Sequence, residues 1–194
     1  MLTVICETPG TLKAEQRDRP VRAEGQVLVR VKRVGVCGTD LHIFTGNQPF
    51  LDYPRVMGHE LSGVVEDAAP GGRLAVGDVV YVMPYLSCGH CVACRQGKTN
   101  CCVNIQVLGV HRDGGFSEYA VVPEKNAWTI PDAVPDEHAV MVEPFTIAAN
   151  VTGQINPTEN DIALIYGAGP MGLTTVQALK RVYKVKTVVI ADRI

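Results

Sequence analysis

Residues 162–172 read IALIYGAGPMG, and this stretch decides how the C-terminal part of the chain folds. A run of five apolar residues leads directly into the spacing G-x-G-x-x-G. A helical segment from Pro170 to about Tyr183 follows, and a second apolar run occupies Thr187–Ala191. This order of strand, glycine-rich turn, helix and strand predicts the beginning of a βαβ unit with parallel strands.

The glycine-rich turn has the spacing of a dinucleotide-binding loop. The first glycine permits the turn, the second lets the backbone approach a pyrophosphate, and the third lets helix and strand pack closely. The N-terminus of the following helix would face the anion. The residues predicted to contact a coenzyme here are Gly167, Gly169, Pro170, Met171 and Gly172.

An acidic residue completes this pattern, because Asp192 follows Gly172 by 20 residues at the end of the second apolar run. A carboxylate in this place accepts hydrogen bonds from ribose hydroxyls and repels a 2′-phosphate. NAD is therefore predicted as the coenzyme. Arg193 keeps NADP open as the less favoured alternative, since an adjacent arginine can accommodate that phosphate.

The rest of the chain has a different texture and predicts a separate domain. From Thr3 to about Tyr81 it is rich in β-type runs, and VLVRVKRVGV (Val27–Val36) alternates apolar and polar residues like a half-buried strand. Helical spacing begins only at about Pro135. We predict a mostly-β domain over 1–150 and the first part of a dinucleotide-binding domain over 151–194, an α+β to α/β architecture.

Four cysteines predict a closed metal site in the mostly-β domain: Cys88, Cys91, Cys94 and Cys102. Thiolates this close in sequence can surround one tetrahedral Zn²⁺, with sulfurs about 2.3 Å from the metal. Because four sulfurs fill the coordination shell, such a zinc is structural. A [4Fe–4S] cluster is the rival interpretation, since bacterial ferredoxins begin with the same spacing. The neighbouring Cys101 leaves the last ligand ambiguous by one residue.

A second constellation combines other ligand types. Cys37 follows an apolar strand, His59 and Glu60 lie about twenty residues later, and Glu143 is a fourth candidate. Cysteine, histidine and carboxylate all bind Zn²⁺, and fewer than four firm ligands leave room for water or substrate, as catalysis requires. The alternative is that these are ordinary packed side chains.

Composition narrows the class of partner. Eighteen basic and 20 acidic residues give a net charge of −2 without a basic run, which argues against a nucleic-acid or anionic-membrane surface and favours a small molecule. The uncharged stretch 162–179 is better explained by strand, turn and helix than by a membrane span. With no readable secretory signal and with cysteines spaced as metal ligands, we expect a cytoplasmic protein.

Taken together, these motifs resemble the zinc-dependent medium-chain alcohol dehydrogenases, in their order and at their spacing. They are Cys37-Gly38-Thr39-Asp40, Gly58-His59-Glu60, the four-cysteine loop, Glu143-Pro144 and the GAGPMG turn. Within that family the chain resembles the threonine, sorbitol and sugar-acid branch. The segments DGGFSEYAVVP and VEPFTIAANVTG are most similar to starvation-sensing and galactonate-type oxidoreductases of bacteria.

The resemblance implies a fold, a metal content and residue roles. The fold would be a GroES-like β domain followed by a Rossmann domain, with one structural and one catalytic zinc per chain. The catalytic zinc would lie on Cys37, His59 and Glu60, with Glu143 as a direct or water-linked ligand where ethanol-oxidising members have cysteine. The resemblance also implies that Cys102, and not Cys101, is the last ligand of the structural zinc. Thr39 would relay the proton of the alcohol to His42 and solvent.

Two functions of different class follow. The first is an NAD-linked zinc dehydrogenase for a secondary hydroxyl of a polyol, sugar acid or hydroxy-amino acid, forming a dimer or tetramer at full length. The second is a truncated, non-catalytic zinc-binding fragment with a structural or regulatory role. Because a Rossmann domain needs further strands after Ile194, we expect the 194 residues on their own to be inactive.

Overall fold

In the computed structural model, which describes residues 1–193, the first unit (Met1–Val140) consists mainly of strands. Its strands are β1 (Leu2–Thr8), β2 (Thr11–Gln16), β3 (Gln26–Val34), β4 (Arg55–Val56), β5 (Leu61–Asp67), β6 (Val79–Val82), β7 (Tyr85–Leu86), β8 (Gln106–Val107), β9 (Tyr119–Pro123) and β10 (Ala127–Thr129). Its helices are α1 (Gly38–Phe44), α2 (Val92–Arg95) and α3 (Asp136–Ala139), with 3-10 turns at Thr99–Cys101 and Glu124–Asn126.

These strands form antiparallel sheets. The largest has the order β10-β6-β5-β3-β9, a smaller one has the order β2-β1-β4, and β7 pairs with β8 alone. The core of the large sheet is apolar and rich in valine, which suits the pleated surface of a strand. Its buried members are Val27, Val29, Leu61, Val65, Leu74, Val80, Val82, Leu108, Val122 and Ala127.

Strand β3 departs from the simple alternation expected from its sequence. Val27, Leu28 and Val29 are all buried, although they point to alternating faces. The register between β3 and β5 shifts between Leu28 and Val29 and again between Val31 and Arg33. Such irregularities insert a residue into the ladder and interrupt the two-residue period. The strand is present where predicted, but its burial pattern is set by this irregular pairing.

A second, smaller core lies beneath α1. It consists of Cys6 from β1, Ile43 from α1, and Met57 and Val110 from connecting loops. Phe116 packs against the same cluster. This core fixes α1 and the loop after β4 to one side of the first unit; the predicted metal ligand Cys37 immediately precedes α1, and the loop carries the predicted ligands His59 and Glu60.

The second unit begins at Met141 and contains the predicted βαβ order. Its elements are α4 (Val142–Ile155), β11 (Ile162–Tyr166), α5 (Pro170–Gln177), a π-helical turn (Ala178–Val182) and β12 (Thr187–Ala191). β11 and β12 pair in parallel, from Ile162 opposite Thr187 to Tyr166 opposite Ala191. Both strands have the bounds predicted from the sequence.

The compact units divide earlier than the boundary predicted at residue 150. Position 150 lies inside α4, whereas the units divide between Val140 and Met141. The physical reason is that α4 packs against α5 and so belongs with the βαβ elements. The functional division at residue 150 stays a prediction. Within residues 1–193, no helix has the length and apolar character needed to cross a membrane.

Candidate metal centres and coenzyme loop

The four predicted cysteine ligands meet in one loop of the first unit. The short strands β7 and β8 pair and close this loop, and Cys91 is the N-cap of α2 within it. The sulfur atoms of the four cysteines all lie within 4.8 Å of one another, and the Sγ atoms of Cys88 and Cys94 are 4.0 Å apart. A tetrahedral Zn²⁺ with bonds of about 2.3 Å would place its sulfurs ~3.8 Å apart. The arrangement therefore fits a single zinc ion.

The same geometry distinguishes between the alternatives left open by the sequence. A four-iron cluster would have to place its irons and sulfides between the cysteine sulfurs, which would hold these sulfurs farther apart than a single ion does. Cys102 is 5% exposed and belongs to the group, whereas Cys101 is exposed and lies outside it among the described ligands. A single zinc ion is therefore favoured over an iron–sulfur cluster, and Cys102 is favoured over Cys101 as the fourth ligand.

Backbone hydrogen bonds and burial distribute charge unevenly among these sulfurs. Backbone N–H groups of His90 and Cys91 lower the pKa of the Cys88 thiol to about 6. Burial, and then the neighbouring Cys91 sulfur, raise the pKa of the Cys94 thiol to about 11. Four negative sulfurs at this distance repel one another unless a cation lies among them. The donor set thus suits a divalent ion that prefers thiolate ligands.

The second group of ligands is assembled by strand pairing. β3 and β5 are antiparallel neighbours with Val34 opposite Leu61, and the Gly35 N–H extends the ladder to the Glu60 carbonyl at 2.7 Å. Cys37 lies just beyond the end of β3, while His59 and Glu60 immediately precede β5. Antiparallel pairing brings the end of β3 and the start of β5 together, so all three residues lie at the same end of this strand pair.

Ligand atoms of Cys37, His59 and Glu60 all lie within 4.8 Å of one another. His59 is 7% exposed, and the other two side chains are half-buried. Sulfur, imidazole nitrogen and carboxylate oxygen are the three ligand types of zinc in proteins. Three ligands leave a fourth coordination position for a substrate or water, which is the requirement of a catalytic site.

The pKa of the Cys37 thiol is lowered by its neighbours. The largest cause is a hydrogen bond with the His59 side chain, which outweighs the effect of burial, and the backbone N–H of Thr39 adds to it. The Thr39 hydroxyl also lies within hydrogen-bonding reach of this sulfur. A thiolate is the form of cysteine that binds metal, so the site favours the reactive form.

Asp40 is a site residue that the sequence reasoning did not single out. This carboxylate is 2% exposed, and its Oδ2 accepts the Cys37 N–H at 2.9 Å while its Oδ1 accepts the Gly58 N–H at 3.1 Å. Oδ1 also lies 3.8 Å from Nδ1 of His59. A carboxylate beside a ligating histidine orients its ring. The available signal was the capping-box spacing, three residues from Cys37 to Asp40.

Thr39 and His42, the predicted proton relay, both lie on α1. Thr39 is half-buried and His42 is exposed. Their three-residue spacing puts them on the same side of the helix. The structure therefore places one hydroxyl near the Cys37 sulfur and one imidazole closer to solvent, while the transfer of a proton between them stays a prediction.

The glycine-rich loop joins β11 to α5 in the second unit. Gly167 has a φ of +103°, in the region that favours glycine, and its N–H donates to the Ala191 carbonyl at 2.8 Å. A Cβ atom at Gly172 would collide with the Gly167 carbonyl oxygen. Gly169 is the N-cap of α5, and Pro170 occupies its first turn. The turn thus depends on glycine at the first and third glycine positions of the G-x-G-x-x-G spacing, Gly167 and Gly172.

Asp192 closes this loop from the end of β12. Its Oδ2 accepts the Ala168 N–H at 2.6 Å, and its Oδ1 accepts the Arg193 N–H at 2.6 Å. The parallel pairing of β11 and β12 brings the carboxylate to the glycine-rich turn. Asp192 therefore lies where the sequence spacing predicted, beside the loop proposed to bind the coenzyme.

Glu143 belongs to the second unit, in the first turn of α4, and is 4% exposed. Its backbone carbonyl accepts the Thr146 hydroxyl at 2.7 Å. The three-ligand group of the first unit is formed by residues of that unit alone. The predicted role of Glu143 as a fourth ligand stays a prediction.

Comparison with known proteins connects this arrangement to a family. Residues 23–132 match the model of the alcohol dehydrogenase GroES-like domain, which is more than half of the chain. The chain belongs to the alcohol dehydrogenase family. This match confirms the resemblance to zinc-dependent medium-chain alcohol dehydrogenases and the GroES-like fold of the mostly-β part.

Individual members of the alcohol dehydrogenase family are similar along all or most of this chain. Starvation-sensing protein RspB of Escherichia coli (strain K12) is 57% identical over 195 residues, which cover 100% of this chain and 58% of that protein. L-galactonate-5-dehydrogenase of the same strain is 42% identical over 174 residues, 89% of this chain and 51% of that protein. The predicted branch of the family is thereby confirmed.

A solved alcohol dehydrogenase structure shares the fold closely. The crystal structure of short chain alcohol dehydrogenase (rspB) from E. coli CFT073, complexed with cofactor NADH, superposes with a TM-score of 0.94 at 57% identity. The similarity covers 100% of this chain and 57% of that one. The chain thus spans little more than half the length of the relatives it matches.

Proposed function

We propose that this chain supplies the metal-binding domain and the first coenzyme-binding segment of an NAD-linked zinc dehydrogenase. The reaction would transfer a hydride from the secondary hydroxyl of a polyol, sugar acid or hydroxy-amino acid to NAD. The observation that carries the proposal is the meeting of Cys37, His59 and Glu60 within 4.8 Å. The alternative of a non-catalytic zinc-binding fragment is not favoured by the comparisons.

The two clusters have different roles in this proposal. Cys88, Cys91, Cys94 and Cys102 would hold a structural zinc, because their four sulfurs complete a tetrahedral shell. Their loop has only the two-residue strands β7 and β8 to close it, so metal binding would supply much of its folding energy. The group Cys37, His59 and Glu60 would hold the catalytic zinc, because it leaves a position open.

A zinc ion bound at the second group supplies a Lewis acid, which lowers the pKa of an alcohol hydroxyl just as it lowers that of water. The residues of the chain perform the remaining tasks. The Thr39 hydroxyl can accept the proton of the alcohol and donate its own, and the exposed His42 can pass the proton to solvent because an imidazole ring both accepts and donates hydrogen bonds. Asp40 holds the Cys37 and His59 loops in place.

The coenzyme would bind at the turn that contains Gly167, Gly169, Pro170, Met171 and Gly172. Its pyrophosphate would face the N-terminus of α5, where backbone N–H groups are not used within the helix. Asp192, whose Oδ2 accepts the Ala168 N–H beside this turn, would accept the ribose hydroxyls, which would favour NAD over NADP. The remainder of the dinucleotide-binding domain would complete a Rossmann fold. Glu143 would be a direct or water-linked ligand of the catalytic zinc.

The assembly and the compartment are part of the same proposal. The full-length protein would form a dimer or tetramer, as the family resemblance implies. Six of the seven cysteines are half-buried or buried, and five of the seven belong to the two ligand groups. Thiols used as metal ligands are typical of a reducing compartment, which favours the cytoplasm.

The test is a metal and activity measurement on the full-length protein that contains these 194 residues. We expect two zinc ions per chain by elemental analysis, with one removed by mild chelation. NADH formation with a panel of polyols, sugar acids and threonine should be lost with that exchangeable ion and restored by zinc. Iron with labile sulfide in the cysteine loop, or full turnover after loss of the exchangeable zinc, would contradict the proposal.

A further inference from the structure

The peptide groups immediately before His59 are held from two sides. Gly58 has a φ of +89°, and its N–H donates to Oδ1 of Asp40 at 3.1 Å. Its carbonyl oxygen accepts the Gly115 N–H at 2.7 Å. Both polar groups of this one residue are thus occupied by segments far away in sequence, and the next residue along the chain is the ligand His59.

The segment Asp113–Phe116 makes most of the hydrogen bonds to the backbone of Val56–Gly58, and we call it the clamp segment. Its N–H groups donate to three successive carbonyls ahead of the ligand: Gly114 to Val56 at 2.8 Å, Phe116 to Met57 at 2.9 Å and Gly115 to Gly58 at 2.7 Å. Three consecutive backbone hydrogen bonds fix the direction in which the chain enters position 59.

The clamp segment and the segment before His59 come this close only because each has a glycine at the contact, Gly114 in the first and Gly58 in the second. A Cβ atom at Gly114 would collide with the Gly58 carbonyl oxygen and would lie 2.6 Å from the Met57 carbonyl oxygen. The aromatic ring of Phe116 covers the Cα of Gly58, where a Cβ atom would lie 2.6 Å from the ring. The two segments are therefore packed backbone against backbone.

Asp113 anchors the other end of the clamp segment. Its Oδ1 accepts the Val56 N–H at 3.3 Å and lies 3.3 Å from a guanidinium nitrogen of Arg55, and its Oδ2 accepts from Arg17 at 3.0 Å. These bonds join the clamp segment to β4 and to the residue after β2. None of the four clamp residues is itself a metal ligand in the group described above.

We infer that the clamp segment is a positioning element of the second metal site: it sets the backbone of Val56–Gly58 so that His59 and Glu60 meet Cys37. This inference rests on the proposed function of that site. Residues that orient ligands from outside the coordination shell typically change metal affinity by about 10–100-fold when altered. Within the clamp segment, Gly114 tolerates a side chain less well than Gly115, whose Cβ atom would lie 3.2 Å from the Leu61 side chain.

The test uses Co²⁺ as a spectroscopic probe of the full chain, after the four-cysteine site has been filled with zinc. Binding at the second site is followed through cobalt d–d absorption and the thiolate charge-transfer band of Cys37. In Gly114→Ala we expect affinity for Co²⁺ to fall about 10–100-fold and the d–d spectrum to change, because the new methyl group displaces the carbonyls that precede His59. Cys37→Ser identifies the signal by abolishing the charge-transfer band.

Two further variants make the result specific. Gly153→Ala is the matched control, since its Cβ atom would meet only the Tyr183 hydroxyl at 3.4 Å in the second unit; we expect wild-type cobalt affinity. Phe116→Leu keeps the backbone hydrogen bonds and removes the ring from Gly58, so it should weaken binding less than Gly114→Ala. If Gly114→Ala loses its circular dichroism signal and its zinc, that variant has not folded. The cobalt affinity and spectrum of Phe116→Leu then test the positioning role.

The outcomes separate this inference from the proposed function. A wild-type chain that binds no second cobalt ion overturns the proposed zinc site, and the positioning role with it. A wild-type chain that binds cobalt, with both clamp variants folded and equal to it in affinity and spectrum, overturns only the positioning role. A lower melting temperature with unchanged cobalt binding would likewise show that the clamp segment serves stability alone.

Discussion

The two metal-ligand groups of the first unit are built in different ways. The four cysteines come from one loop of 15 residues, Cys88–Cys102, and little besides the pairing of β7 and β8 closes it. Cys37, His59 and Glu60 come from two segments that meet because β3 and β5 pair. The first group depends on local chain geometry, whereas the second depends on the sheet, on Asp40 and on the clamp segment.

The largest effect should follow from removing one ligand of the local group. Cys91→Ser leaves three sulfurs, so we expect zinc affinity of the loop to fall well over about 100-fold, more than for a change outside the coordination shell. Because metal binding is folding energy for such a loop, amide exchange of residues 87–105 should become fast while the large sheet stays protected.

Cys101→Ser is the matched control for this loop, since Cys101 is exposed and outside the group of ligands. Zinc content and amide exchange measured side by side should leave it equal to wild type. Unchanged protection of the loop in the zinc-free Cys91→Ser variant would remove the distinction between the two groups.

The second prediction concerns the assembled group. Cys37→Ser in the full-length protein should abolish the exchangeable zinc and turnover together, because a neutral serine hydroxyl replaces the thiolate ligand. The sheet should keep its stability, since pairing of β3 and β5 does not need the metal. Elemental analysis, NADH formation and thermal unfolding measure the three quantities. Retained turnover with one zinc per chain would refute the role of Cys37.

The third prediction extends the comparison to the second unit. Asp192→Ala in the full-length protein should raise the Michaelis constant for NAD about tenfold or more and leave zinc content unchanged, because a hydrogen bond to a charged group contributes ~1.5–3 kcal/mol. Asp161→Ala, an exposed turn residue of the same unit, is the control. Unchanged coenzyme affinity in Asp192→Ala would mean that the ribose assignment is wrong.

The smallest expected effect is on the alkylation rate of Cys88 in the metal-free chain, through the pH at which its thiol ionises. The pKa of Cys88 is lowered to about 6 by backbone N–H groups, so its thiolate predominates above that pH and is lost as pH falls through 6. At pH 7 the thiolate fraction is about 90-fold higher than for a thiol of pKa 9, but lower basicity reduces nucleophilicity, leaving roughly a fourfold gain in alkylation rate.

Mass spectrometry of iodoacetamide-treated protein measures the alkylation rate of Cys88 against that of a short cysteine peptide, which supplies the ordinary thiol. Burial and neighbouring sulfurs raise the pKa of Cys94 to about 11, so that residue should stay unmodified at pH 7. Bound zinc should protect all four cysteines of the group from alkylation. Equal rates for Cys88 and Cys94 would contradict the uneven distribution of charge among the sulfurs.

Prediction from the sequence succeeded where the deciding residues are close together in the chain. The strands Ile162–Tyr166 and Thr187–Ala191 have their predicted bounds, and the four-cysteine group forms as its spacing indicated. Each of these depends on steric requirements of a few neighbouring residues. The alternation expected in β3 was interrupted instead, because its irregular pairing with β5 involves residues 27 to 39 positions away, from Val34 opposite Leu61 to Leu28 opposite Asp67.

The role of Asp40 shows what spacing alone leaves undetermined. Its capping position next to Cys37 is readable from the sequence, but its second hydrogen bond reaches Gly58, 18 residues farther on. That partner is defined only when α1 and the loop after β4 pack on the small core around Ile43 and Met57. The clamp segment is similar, since nothing local links Gly114 to the carbonyls of residues 56–58.

The sequence by itself determined the order of elements, the glycine-rich turn and which residues are candidate metal ligands, because these follow from residue type and short spacing. Tertiary structure alone decided that Cys37, His59 and Glu60 meet, and that Asp40 and the clamp segment hold their backbone. The physical reason is that local sterics and ligand chemistry act over a few residues, whereas strand register and close packing depend on the whole first unit.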